Sequence, residues 1–187
     1  MNELPVPIVG FCAWSGTGKT TLLTQLLPLM VARGLKVAVV KHAHHTFDID
    51  HPGKDSYELR EAGASQMLIA SHKRMAHITE FDEGRGEPSL ADALSGLDMQ
   101  NLDLILVEGF KHENYQKIEL HRPQLNKPLF FPDDSNIIAI ASDAPIQENR
   151  NLLPKLNLNN PQQIVQFILD KVVADTPPAT ASAVTQP

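Results

Sequence analysis

Short apolar, β-branched runs alternate along this chain with longer amphipathic stretches, the pattern of a parallel sheet flanked by helices. Val6–Ala13 and Leu35–Lys41 predict the first two strands, the second of them buried, and Lys19–Arg33 predicts a helix closed by Gly34. A polar, histidine-rich stretch, 42–53, leads into a helix from about Lys54 to Ala62. Gln66–Ser71 and Arg74–Phe81 read as an antiparallel hairpin turning at His72-Lys73, and Ser89 as the N-cap of a helix over Leu90–Leu97. Leu102–Val107 is the most apolar run and predicts a central strand. Further strands are expected at Lys117–His121 and Ile137–Ser142, separated by loops and edge structure around Pro123, Pro128 and Pro132. Pro161–Val173 is a last amphipathic helix with Ile164, Phe167 and Ile168 on its core face.

The expected architecture is a single three-layer α/β P-loop domain over residues 1–174, its sheet mostly parallel. The hairpin at about 66–81 and the region 112–135 are insertions suited to a dimer surface, and 175–187 is a disordered tail. No apolar run approaches the ~18 residues a membrane span needs, and the N-terminal Met-Asn-Glu-Leu-Pro-Val-Pro does not read as a secretory signal, so a cytoplasmic protein is expected. A lone cysteine, Cys12, excludes an intrachain disulfide and reads as a buried strand residue. A net charge of −6 gives no global basic field for nucleic acid. Small anions remain possible ligands through local groups.

One stretch supplies such groups. Ala13-Trp-Ser-Gly-Thr-Gly-Lys-Thr20 follows a strand and opens a helix, the context in which successive backbone N–H groups cradle phosphates. Gly16 and Gly18 permit close backbone approach, Lys19 faces the outer phosphates, and Thr20 offers a hydroxyl to magnesium. Ser15, Thr17 and Thr21 complete the expected nucleotide contacts. A lysine at a helix N-terminus opposes the helix dipole, a conflict that a bound anion resolves. Ala13 stands where the motif has its first glycine, which requires backbone dihedrals there that accept a Cβ. Trp14, the only tryptophan, is expected to pack against neighbouring strands.

A carboxylate is expected on a neighbouring strand to hold magnesium, and Glu108 ends the 102–107 run at the sheet edge where ligands collect. Asp48, Asp50 and Asp55 follow strand two and suit either metal ligation or ordinary loop and capping roles. Asp143, ending the Ile137–Ser142 strand, is placed to accept from the N1–H and N2–H₂ of guanine, although a residue just ahead of Pro145 equally suits a plain turn.

The phosphate loop, Val40-Lys-His-Ala-His-His45, Pro52-Gly-Lys-Asp-Ser56, Ala62-Gly-Ala64 and Val107-Glu-Gly-Phe-Lys111, in this order, resemble the molybdopterin-guanine dinucleotide biosynthesis protein B family over about residues 6–145. The resemblance implies a homodimeric, GTP-binding, weakly hydrolysing accessory protein of molybdenum-cofactor maturation, beside a guanylyltransferase partner that attaches GMP to molybdopterin. It places Lys19 and Glu108 at the reacting end, Thr20 and Glu108 on magnesium, and Lys41 with the histidines beside the nucleotide. Two other classes share the loop. A GTP-dependent metal-delivery protein would use His42, His44, His45 and His51 as ligands. A small-molecule kinase would need an arginine-rich lid, and only Arg74 and Arg85 lie near a candidate. No arginine finger or catalytic glutamine can be assigned, so a slow GTPase is the most expected.

Overall fold

The computed structural model describes residues 4–43, 47–82, 84–146 and 153–174. They group into two compact units, one of Met1–His42 with Ser89–Pro187, the other of Ala43–Pro88. In chain order the elements are β1 (Ile8–Cys12), α1 (Lys19–Val31), β2 (Val37–Lys41), α2 (Asp55–Glu61), β3 (Gln66–Ala70), β4 (Met75–Thr79), α3 (Leu90–Ser95), β5 (Leu104–Glu108), β6 (Lys117–His121), β7 (Ile137–Ser142), β8 (Lys155–Asn157) and α4 (Pro161–Ile168), the last running on as a wider π-helical stretch over Leu169–Val173.

The larger unit holds a six-stranded sheet in the order β2-β5-β1-β6-β7-β8, with every pairing parallel. On one face Val9, Phe11, Leu106, Ile118 and Leu120 pack with Leu22, Leu26 and Met30 of α1 and with Ile164, Val165 and Ile168 of α4. On the other, Ile105 and Val107 pack with Leu90 and Leu94 of α3 and with Tyr115. This is the three-layer α/β arrangement expected from the alternation of patterns. β5 lies inside the sheet with Leu104 to Val107 wholly buried, as its unbroken apolar run predicts. Ser89 caps α3 through a reciprocal box with Asp92.

Several features depart from the sequence reading. β2 is an edge strand, with Val39 42% exposed, because a short β-branched run looks the same at the rim of a sheet as in its middle. β8 forms the opposite edge from only three residues and leaves no periodic signal. On α4 the fully buried partner of Ile164 and Ile168 is Val165, while Phe167 is only half-buried. The region 112–135 also contributes more than an insertion: β6 sits between β1 and β7 in mid-sheet. Its Lys117, Glu119 and His121 alternate with apolar residues as a solvent-facing set would, yet all three are buried. Lys117 Nζ donates to Asp134 at 2.7 Å, and Glu119 accepts from the backbone N–H groups of Phe130 and Phe131 at 2.8 and 3.0 Å. These charge-assisted bonds fasten the proline-punctuated loop across the strand.

In the smaller unit β3 and β4 form the expected antiparallel hairpin, pairing Leu68 with His77 and Ala70 with Met75. Arg60 of α2 ties this unit together. It donates to both oxygens of Asp50, at 2.7 and 3.4 Å, to Asp48 at 3.1 Å, and to Glu80 just past β4. Hydrogen bonds from Arg60 hold the Asp50 carboxyl below the usual carboxylate range. A lowered folded-state value makes this contribution complete above the unfolded carboxylate value of about 3.9, and lost as pH falls through the folded one. Hydrogen-exchange protection across 47–82, taken relative to the intrinsic amide rate at each pH, should therefore hold at neutral pH and fall below about pH 4. Arg60→Ala should lack that protection at both, and identical profiles for parent and variant would remove the clasp from the account.

Candidate functional site

Between β1 and α1 the chain makes a glycine-dependent loop. Gly16 has φ +79° and Gly18, the N-cap of α1, φ +101°, a region of backbone space that side-chain-bearing residues rarely enter. Among the described residues the non-glycine positions of positive φ are Phe110 and Asn126, so Ala13 does not adopt such a conformation. The missing first glycine is accommodated without strain. Thr17, 2% exposed, donates its hydroxyl to the Trp14 carbonyl at 2.8 Å. Lys19 Nζ reaches back to the Ala13 carbonyl at 3.2 Å, which curls the side chain over the loop. Ser15 and Gly16 remain exposed at its mouth.

Trp14, expected against neighbouring strands, makes its ring stack and its hydrogen bond with the loop after β6. Its ring stacks on Phe130 with centroids 4.9 Å apart and its indole N–H donates to the Pro128 carbonyl at 2.8 Å.

Glu108, at the carboxyl end of β5, meets this loop. Thr20 Oγ1 donates to Glu108 Oε1 at 3.1 Å, and Lys41 Nζ lies 3.9 Å from the other carboxylate oxygen. Its backbone is held from two sides, since the Glu108 carbonyl accepts from His42 N at 2.8 Å and the Gly109 carbonyl from the Tyr115 hydroxyl at 2.8 Å. Gly109 has φ +102°, and a Cβ there would come within 2.6 Å of His42 Cβ. Gly10 is equally constrained, because a Cβ would fall 2.5 Å from the Tyr115 hydroxyl oxygen. Phe110 takes φ +48° and stacks on His42. The Glu108 carboxylate is thus fixed by a backbone turn that few residues can form. A hydroxyl and a carboxylate 3.1 Å apart are hard oxygen donors, the set that suits magnesium rather than a soft metal.

Asp143 follows β7 and is brought to the phosphate loop by a residue the sequence reading did not single out. Arg122, just past β6, donates from Nε to the Thr17 carbonyl at 2.9 Å and from Nη1 to Asp143 Oδ2, which also accepts from Gln124 at 3.0 Å. A cation directly after a strand, at the carboxyl edge of the sheet, was the available signal for Arg122. Beside it lies a groove of about 260 Å³ bounded by the loop, Thr21, Leu22, Gln25, Arg122, Leu158 and Asn159.

Asp48 and Asp50 are committed to Arg60, and Asp55 stands in the first turn of α2. His44 and His45 fall outside the described residues. Among the described residues no three His, Cys, Asp or Glu side chains are grouped to hold a metal ion. Cys12 is buried as expected, and burial, reinforced by Glu119, pushes its thiol up to about 12. It is no nucleophile at neutral pH.

The family model described as Molybdopterin guanine dinucleotide synthesis protein B matches residues 8–143. A protein of Escherichia coli (strain K12) named molybdopterin-guanine dinucleotide biosynthesis adapter protein is 45% identical over 166 residues, covering 88% of this chain and 93% of its own. One of the same name from Haemophilus influenzae is 42% identical, with 87% and 88% covered. A crystal structure of molybdopterin-guanine biosynthesis protein B superposes with a TM-score of 0.65 at 26% identity, over 87% of this chain and 98% of that one. Bacillus subtilis MobB superposes with a TM-score of 0.66 at 25% identity, over 89% and 98%.

Proposed function

Because this chain belongs to the molybdopterin guanine dinucleotide synthesis protein B family, we propose that it is a GTP-binding adaptor of molybdenum-cofactor maturation, assisting a guanylyltransferase as molybdopterin becomes its guanine dinucleotide. The observation that carries the nucleotide half of this reading is the contact of Thr20 with Glu108 at the mouth of a loop whose lysine has no carboxylate partner among the described residues. In this reading Ser15, Gly16, Thr17, Gly18 and Thr21 surround the phosphates, Lys19 faces the outermost of them, and Thr20 and Glu108 hold magnesium. Bound there, magnesium would neutralise charge on the outer phosphates. Arg122 is unsuited to act as an arginine finger, because two of its nitrogens already hold Thr17 and Asp143. Slow turnover at most follows, which fits an adaptor better than a kinase. The protein works in the cytoplasm and as a homodimer.

The test is a reconstituted reaction of molybdopterin, GTP, magnesium and guanylyltransferase, with and without this chain. Dinucleotide yield should rise with the parent protein and not with Glu108→Gln, which keeps the side chain's shape and removes its charge. In parallel calorimetry, the parent should bind GTP about tenfold more tightly with magnesium than with a chelator, and Glu108→Gln should lose that dependence. A yield indifferent to the parent would reject the adaptor role, and a magnesium-independent parent would reject the metal site.

A further inference from the structure

The groove beside the phosphate loop has no role in the account above, and neither does the guanidinium that lines it. Arg122 spends Nε on the Thr17 carbonyl and Nη1 on Asp143 Oδ2. Its third nitrogen, Nη2, lies 3.8 Å from where a Cβ on Gly18 would stand and makes no hydrogen bond among the described residues, and Arg122 is one of the residues lining the groove. Behind it, Asp143 is 9% exposed. One carboxylate oxygen is shared between Arg122 and Gln124, and the other is shut off from solvent without a partner among the described residues. Asp143 is absent from the groove lining, and Arg122 stands in that lining.

This arrangement reverses the division of labour that the strand-end aspartate suggests. A carboxylate that reads guanine needs both oxygens open to N1–H and N2–H₂, and here one of them already accepts two bonds. The guanidinium offers the groove N–H donors instead. Its charge is balanced by Asp143, so it suits a neutral acceptor better than another phosphate. The acceptor edge of a purine that fits such donors is O6 with N7 of guanine, whereas adenine presents an N6–H₂ donor in place of O6. Leu22 and Leu158 give the groove apolar walls for a ring.

We infer that the groove seats a 6-oxopurine nucleoside, that Arg122 reads its O6/N7 edge, and that Asp143 is the positioning residue that aims Arg122. The inference rests on the reading that the loop holds the triphosphate.

Calorimetric titration of the full chain with GTP, inosine triphosphate, ATP and inorganic tripolyphosphate tests it. Inosine keeps O6 and N7 but lacks the 2-amino group, so the parent should bind it within about threefold of GTP and bind ATP about tenfold more weakly. Arg122→Met combined with Asp143→Asn removes the guanidinium donors and leaves the local charge balanced. It should bring GTP and inosine triphosphate down to the ATP level while tripolyphosphate stays within about twofold. Inosine triphosphate falling to the ATP level in the parent would make Asp143 the reader and overturn the proposal without any variant. A double variant that weakens tripolyphosphate as much as GTP would overturn it too, reducing Arg122 to a prop of the loop. If Lys19→Ala changes none of the four affinities, the phosphate reading itself is what fails.

Discussion

Lys19→Ala should weaken triphosphate binding by roughly 10- to 150-fold and leave the fold intact. The ammonium is half-buried over the loop and its one hydrogen bond runs to the Ala13 carbonyl. A triphosphate would exchange that neutral acceptor for an anionic one, and a charge-assisted hydrogen bond contributes about 1.5–3 kcal/mol, which converts to the stated range. The free protein should respond in the opposite sense. A cation in the first turn of α1 opposes the helix dipole at a cost of about 0.3–1 kcal/mol, and among the described residues no carboxylate pairs with it to offset that cost. Lys19→Ala should therefore melt no lower than the parent without nucleotide, and up to about 2–4 °C higher. Scanning calorimetry with and without GTP reads both effects. A variant that binds GTP as tightly as the parent would take the phosphates away from this loop, whatever the melting temperatures do.

What could be read from the sequence was what is local. The loop, its strand-to-helix setting, the hairpin and the Ser89 cap all depend on residues a few positions apart, so their chemistry is visible in a short window. Glu108 was accessible for a different reason: a carboxylate closing the most apolar strand has few explanations, and it does reach Thr20. The features that escaped depend on long-range neighbours. Lys117, Glu119 and His121 look like the wet side of a strand until the segment around Phe130 is laid across them. Trp14 joins that same segment through Pro128 and Phe130, more than 110 residues away in sequence. Arg122 and Asp143 acquire meaning only as a pair, and the pair forms because β6 and β7 are neighbours in the sheet. That strand order is not encoded in either strand's own pattern.

Leu68→Asp combined with Met75→Asp should convert a dimer into a monomer while sparing nucleotide binding. Asp50 is the only residue of the Ala43–Pro88 unit that is buried among those described, so in a single chain this unit encloses no apolar side chain. Of the ten exposed large hydrophobic residues among those described, seven fall in it: Phe47, Ile49, Leu59, Leu68, Ile69, Met75 and Phe81. A two-stranded hairpin of this kind is marginal in water by itself. Leu68 and Met75 lie on one face of it, because Ala70, two residues beyond Leu68, pairs with Met75, and they are 60% and 69% exposed. A second copy meeting this face across a twofold axis would bury both side chains twice, and full burial contributes about 1.5–3 kcal/mol for each. Aspartate at both positions would place four carboxylates in the same space, where like charge and desolvation oppose association. Sedimentation at micromolar concentration should show the parent at twice the mass of the double variant. The variant should keep its GTP affinity, since both substitutions lie outside the unit that carries the phosphate loop. A parent that sediments as a monomer would remove the homodimer from the proposed function. A double variant that remains dimeric would move the interface away from the hairpin, to the 112–135 region.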